Sequence, residues 1–404
     1  MGNCFLPTDI LLPKNLDFTK WAVIACDQFT SDREYWDRVE HFVGDAHSTL
    51  RLVYPEIDLE YDTENRINNI HDSMDKILNE QILTRYKDSY IYVERVLLDG
   101  SVRPGIVGAI DLEKYHYDPK QKPVIGATEQ TVLERVPPRL AIRRAASMEL
   151  AHVILFCNDN SFEIINSITN VKDQLPKLYD FDLMEQGGRI TGYLVDGQHA
   201  ADLTLKLQKY TESHRGETAF LVADGNHSLV TAKSWYEELK KQNPDTDLSA
   251  HPARYAMVEL ENIQDSSIHF EPIHRVIFET DPAKLIHDIE EICAPDGCEV
   301  QWIAGGARGT VKLDVPNGEL PIAVIQRFLD RWLIENKGSI DYIHDADALL
   351  KFAQNENAIG FMMPVFDKEA LFAFGASGHI LPRKTFSLGH SREKRYYLEG
   401  RKIK

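Results

Sequence analysis

The stretch Phe220-Leu-Val-Ala-Asp224-Gly225-Asn226-His227-Ser228-Leu-Val-Thr-Ala232 decides how the rest of the chain is read. Its apolar run, Phe220 to Ala223, stops abruptly at Asp224-Gly225-Asn226-His227. Behind that stop, Leu229, Ala232, Tyr236 and Leu239 recur at helical spacing. The pattern predicts a buried strand, a tight polar turn and a helix that opens at the turn. A glycine there allows a left-handed backbone and the close approach of a ligand. The first turn of the helix adds N–H groups without intrahelical partners and the positive end of its dipole. An anion, most often a phosphate, suits such a place. The same residues also suit a plain turn with a capped helix, and the pattern alone leaves both readings open.

Other segments repeat the alternation of strand and helix. Trp21–Cys26 reads as a strand that runs into Asp27-Gln28-Phe29-Thr30-Ser31-Asp32, followed by a helix to about Val43. Asp27 and Thr30 face a crevice if that strand is central, whereas Ser31 or Asp32 serves as the helix N-cap. Residues 63–83 form an amphipathic helix, and 90–98 with 105–115 form a hairpin about Asp99-Gly100. Arg135, Arg139, Arg143 and Arg144, set against Glu129, Glu134 and Glu149, make the most basic stretch. Pro137-Pro138 opens a helix there, with Arg139 and Arg143 on one face. Those arginines suit a bidentate grip on phosphate or carboxylate, or simple local ion pairs. Residues 153–157 read as a strand, 162–178 as a helix and 189–195 as a strand. The last ends in Asp196-Gly197-Gln198-His199, an echo of the central turn that is either a second wall of one site or chance. Further on, 255–260 is a strand with Glu259 and Glu261 alternating out of it, and Asp345 either offers a carboxylate beside the His344 imidazole or caps a helix from Ala346. The residues from Pro382 to Lys404 read as a basic tail.

Bulk properties narrow the function classes. A chain of 404 residues with net charge −18 repels nucleic acid unless a local basic patch intervenes. Five cysteines without a Cys-x-x-Cys pair suit a reduced cytosolic chain. Neither a basic-then-apolar leader nor an apolar run of about 18 residues occurs, so a cytoplasmic location without membrane association is expected. Zinc spacings, a Gly-x-Ser-x-Gly elbow, a Walker sequence and a Gly-x-Gly-x-x-Gly fingerprint are all missing, and nothing indicates haem or flavin.

The turn Asp224-Gly-Asn-His227, with its following helix, resembles the phosphate-binding turn of the ParB/sulfiredoxin superfamily. The whole chain resembles the domain-of-unknown-function family number 1015. The segments that carry this likeness are Trp21–Thr30, Ala127–Glu129, Glu134–Arg139, His251–Tyr255, Phe270–Arg275 and Leu381–Lys384. The resemblance implies a mixed-sheet α/β or α+β fold, with a ParB/sulfiredoxin-like core over residues 1–250 and an added α+β lobe over 251–404. It also places Gly225, Asn226 and His227, beside Asp224, at phosphate oxygens. Two departures matter. Asn226 stands where sulfiredoxin-like members carry their cysteine, which excludes reductase chemistry, and Ser228 stands where an arginine is usual. Arg139, Arg275 or Lys384 are the candidate replacement cations. His274, next to Arg275, is able to move a proton near neutral pH.

The superfamily includes a free-serine kinase, so the sharpest reading is a small-molecule phosphotransferase using ATP, ADP or CTP with magnesium. Asp27 or Glu129 is then the base, and Asp224, Asp27 or Glu129 the magnesium ligands. The partner is a nucleotide or a phosphorylated metabolite, and an oligomer is compatible with the sequence. The alternative is a non-catalytic, nucleotide-dependent regulator or a ParB-like DNA-associated protein.

Overall fold

The computed structural model describes residues 3–29, 32–58, 63–118, 121–129, 136–317, 319–376 and 381–404. Thr30, Ser31, Glu134 and Arg135 lie outside the described residues. The chain forms two compact units. The first comprises Met1–Ile268, Leu371–Ile380 and Ser391–Lys404, and the second His269–Ala370 and Leu381–His390. The division after Ile268 lies beyond the expected cut at 250, because strand Tyr255–Asn262 pairs inside the first unit's sheet.

A mixed sheet of thirteen strands runs through the first unit. Strand Phe220–Asp224 lies between Ile125–Ala127, to which it is parallel, and Val153–Cys157, to which it is antiparallel. Tyr255–Asn262 follows, parallel to Val153–Cys157, and then the hairpin Val102–Asp111 with Leu83–Val96. Phe220–Ala223 and Val153–Cys157 are buried throughout, which explains why each reads as an unbroken apolar run. The register between these two strands slips between Val222 and Asp224. The bulge falls where the sequence turns polar, and Asp224 beyond it still pairs with Ile154.

Local chemistry accounts for most boundaries. Asp32 caps helix Arg33–Val43, its Oδ1 accepting the Tyr35 N–H at 2.9 Å. Helix Thr63–Asn79 ends before residue 83 because Leu83 already pairs with Pro13 in the sheet. The expected helix over 162–178 is only Glu163–Thr169. Pro176 cannot extend it, and Lys177–Asp182 pairs instead with Arg189–Val195. The echo turn at Asp196 follows that strand, which pairs with Leu83–Val96 and not with either neighbour of Phe220–Asp224. The two turns are thus not adjacent in the sheet.

Two further expectations are corrected in this unit. Glu259 and Glu261 do not face outward; both are buried, and Glu259 pairs with Arg395 at 2.6 Å. Nor is the C-terminal stretch a solvated tail. Gly400–Lys402 inserts between Thr8–Pro13 and Met148–Leu150, where a Cβ on Gly400 would come within 2.6 Å of Met148 Cε. Its charges are paired: Arg395 with Glu399, and Arg401 with Glu149 at 2.7 Å. Arg95 latches the same stretch by donating to the carbonyls of Glu393 (2.8 Å) and Lys394 (2.6 Å). Buried charges persist only when partnered in this way.

The second unit is built on a five-stranded antiparallel sheet. Its order is Ala307–Leu313, Cys293–Ala304, Ile359–Met362, His274–Phe278 and Ser339–Ile343. Helix Pro321–Glu335 buries Ile325, Phe328, Leu329 and Trp332 in one cluster with Val300, Leu313 and Phe361. Asp345 caps Ala346–Phe352 through the N–H groups of Asp347 and Ala348. Among the described residues, no helix is long and apolar enough to cross a membrane.

Candidate anion site at the central turn

Gly225 takes the left-handed conformation, with φ 82° and ψ 26°, and helix Asn226–Gln242 begins on it. A Cβ there would lie 3.0 Å from Val153 Cγ2, so conformation and space both call for glycine. No side chain caps this helix. Asp224 turns away from that role: Oδ1 accepts the Gly225 N–H at 2.9 Å, and Oδ2 pairs with Lys394 Nζ at 3.0 Å. The capping reading of Asp224-Gly-Asn therefore does not describe the turn, whose N-cap residue Gly225 offers no side chain to the first N–H groups of the helix.

Asn226 is buried and is held by Thr128. Thr128 Oγ1 donates its one proton to the Val222 carbonyl at 2.6 Å, so it can only accept from Asn226 Nδ2 at 3.3 Å. That fixes the amide's orientation and leaves the buried Asn226 Oδ1 without a donor among the described residues. A buried acceptor of this kind is costly unless something donates to it. His227 and Ser228 follow on the same turn and are half-buried, and the His227 carbonyl accepts from Thr231 Oγ1 at 2.7 Å. Glu129 continues directly from Thr128, at the end of the strand parallel to Phe220–Asp224.

Beside the turn lies a cleft of about 160 Å³. Its walls are mainly apolar, including Leu52, Met74, Ile142, Leu229 and Met257, and its polar groups include Arg139, His152, Ser228 and Tyr397. His152 was not singled out by any sequence pattern. Its Nε2 lies 2.7 Å from Ser228 Oγ, its Nδ1 3.4 Å from the Leu150 carbonyl, and its ring 4.9 Å from that of Tyr397. Burial pushes the His152 imidazole below its ordinary 6.5, against the pull of Asp27 and Asp224 and with a further push from Arg139. The fold thus brings Asp27, Arg139 and the turn carrying Asp224 and Ser228 around one histidine from three segments. Asp27 also accepts from Gln28 Nε2 at 3.5 Å. Burial, with Asp27 close by, pushes the Cys26 thiol up to about 11; its sulfur accepts from Tyr397 Oη at 3.0 Å and stays unreactive near neutral pH.

The arginines expected to share a helix face do so on Val136–Ala145, and both line the cleft. Each carries a carboxylate partner: Arg139 pairs with Glu56, and Arg143 with Glu149 at 2.7 Å.

The remaining candidates belong to the second unit. His274 is buried, and its Nδ1 accepts the Met363 N–H at 3.1 Å. Arg275 is fully buried and its fork is occupied, which corrects its expected role as a spare cation for phosphate. It donates to Gln326 Oε1 (3.1 Å), to the carbonyls of Lys384 (2.9 Å) and Arg383 (3.1 Å), and to that of Ile273. Lys384 is half-buried with φ 57°, so the segment that Arg275 pins is a bent one.

Fold and site together define a mixed-sheet protein with an uncapped strand–turn–helix junction beside a cleft. The chain belongs to the family described as protein of unknown function (DUF1015), whose model matches residues 8–372. Among curated proteins none matches the sequence. Solved structures similar to it include SbnI with a C-terminal truncation from Staphylococcus aureus, at 10% identity and TM-score 0.38, covering 70% of this chain and 83% of that one. A free serine kinase variant in complex with AMP is similar at 11% identity and TM-score 0.40, over 73% of this chain and 90% of that one. A conserved hypothetical protein from Pyrococcus furiosus is similar at 12% identity and TM-score 0.36, over 73% and 94% respectively.

Proposed function

We propose that the chain binds a nucleotide or a phosphorylated small molecule with a phosphate at Gly225, Asn226 and His227, and that it transfers a phosphoryl group to a small hydroxyl compound. The observation that carries this reading is the start of helix Asn226–Gln242. No side chain caps it, and its third residue, Ser228, lines a cleft large enough for a small organic group. The buried Asn226 Oδ1 asks for a donor, which a ligand hydroxyl supplies and a phosphate oxygen does not. Arg139, a candidate cation, lines the cleft wall together with Arg143. Asp27 and Glu129 remain the candidate bases for the acceptor hydroxyl. Among the described residues no group of three His, Cys, Asp or Glu side chains converges on a metal position. Magnesium, which commonly takes one or two carboxylates and otherwise binds phosphates and water, would arrive with the nucleotide and not in a protein cage.

A second reading, nucleotide-dependent regulation without turnover, is favoured by the ion pairs that already engage Asp224 and Arg139. Calorimetry with ADP, ATP, CTP and pyrophosphate, with and without magnesium, tests binding. Phosphorus NMR with a pool of small hydroxyl metabolites tests turnover. Turnover that needs an added metabolite supports the kinase, and binding alone supports the regulator. His227→Ala should weaken affinity with little change in melting temperature; a collapse of stability with unchanged affinity refutes the site.

A further inference from the structure

We propose that Ser228 is a nucleophile activated by His152, and that a phosphoryl group from the ligand at the central turn passes onto its Oγ. This rests on the anion-site reading above. Three observations converge. The first is the 2.7 Å contact between Ser228 Oγ and His152 Nε2. With the Nδ1 proton turned to the Leu150 carbonyl at 3.4 Å, Nε2 carries the lone pair and the serine hydroxyl donates to it. Nucleophile, base and the group that orients the base thus stand in order.

The second observation is access. Ser228 and His152 both line the cleft, so the hydroxyl meets a space able to hold a reacting group. On the order of 150 Å³ suffices for a benzene-sized guest, so the cleft is matched to a small substituent and not to a polymer. A histidine and serine paired only for packing would have no need of such an opening. The third is position. Ser228 is the third residue of a helix whose start no side chain caps. A phosphoserine at that place sets its negative charge against the positive helix end. The walls of Leu52, Met74, Leu229 and Met257 limit water around the adduct.

The step balances without redox chemistry. Ser228 Oγ attacks the terminal phosphorus, and the Oγ–P bond forms as the bond from phosphorus to the bridging oxygen breaks. The hydroxyl proton moves to His152 Nε2, and the leaving nucleotide or alcohol departs with the electron pair. A hydroxyl acceptor, or water, then takes the phosphoryl group from Ser228 and returns the serine hydroxyl.

The test uses the full chain with ATP or ADP labelled in the terminal phosphate, plus magnesium, in parallel with calorimetry of the same nucleotides. A fluorophosphonate probe, which needs an activated serine and no nucleotide, is applied separately. The expected result is one phosphoryl group on the peptide carrying Ser228, located by mass spectrometry. Ser228→Ala loses it, and His152→Gln slows its formation about 100-fold, as removal of a general base does. The fluorophosphonate should modify the same serine. Nucleotide binding with Ser228 left unmodified by nucleotide and probe overturns this proposal alone, as does label that persists in Ser228→Ala. Failure of every nucleotide to bind overturns the anion-site reading and this proposal with it.

Discussion

Replacing Asp224 by Asn should tighten anion binding while it weakens the fold, and the structure sets the size of both effects. The carboxylate makes two contacts, the Gly225 N–H at 2.9 Å and Lys394 Nζ at 3.0 Å. An asparagine keeps an acceptor for the first and abolishes the ion pair. Lys394 is 6% exposed in its side chain and Asp224 19%. At 3.0 Å and an effective dielectric of about 20, the gross attraction is about 5 kcal/mol. Stranding one member of a fully buried pair costs about 3–5 kcal/mol. The partial exposure of Asp224 places the expected loss nearer 2–3 kcal/mol, read by urea unfolding through the Trp235 fluorescence of the first unit. At the same time a negative charge leaves the mouth of the helix and an ammonium is released beside it. Affinity for pyrophosphate or ADP should rise about tenfold, or about 1.4 kcal/mol, and the gain should shrink with added salt. A cycle with Lys394→Met should return a coupling energy above about 1 kcal/mol for the pair. If Asp224→Asn loses stability as expected while anion affinity stays flat or falls, the amides after Ala223 are not where the anion sits.

Three further outcomes follow from the same geometry. Gly225→Ala forces a side chain into a left-handed backbone against Val153 and should cost about 2–4 kcal/mol in urea unfolding, the sum of the backbone and overpacking penalties. Burial pushes Glu261 up to about 8 from 4.5, aided by Glu259 and opposed by Arg103, so the unfolded state gives up this proton first; its stabilising share, full below pH 4.5, fades as pH rises through 8. Glu261→Gln should remove that dependence and raise stability at pH 8 above the parent's, measured as a pH series of unfolding midpoints. Burial also holds His152 and His274 below 6.5, so the unfolded chain binds their protons more readily and stability falls as pH drops below 6.5; His152→Gln should flatten that slope in the first unit without altering it in the second, where Trp302 and Trp332 report.

How much of this was legible in the sequence depends on whether the signal was local. The central turn was readable because period and polarity change together at Asp224, and because a glycine there has few other uses. The hairpin at Asp99-Gly100, the strands Val153–Cys157 and Arg189–Val195 and the Asp345 cap are local in the same sense. Non-local pairing was not readable. Arg395, Glu399 and Arg401 look like a solvated tail until Glu259 and Glu149, far earlier in the chain, take their charges. A clue did exist: Glu259 and Glu261 interrupt an otherwise apolar strand, and carboxylates on a strand paired on both sides need buried cations.

His152 shows the same limit at the site itself. It sits just before the apolar run Val153–Cys157, where a lone histidine carries no spacing signal. It meets Ser228 where the chain turns beyond the Asp224–Ile154 pair, with Gly225 close against Val153. One turn carries Asp224 to Lys394 and Ser228 to His152. Ion pair and serine–histidine contact therefore share the geometry of the turn that Gly225 makes. Gly225→Ala, which strains that turn against Val153, should disturb both at once, whereas variants of Lys394 should spare the contact with His152.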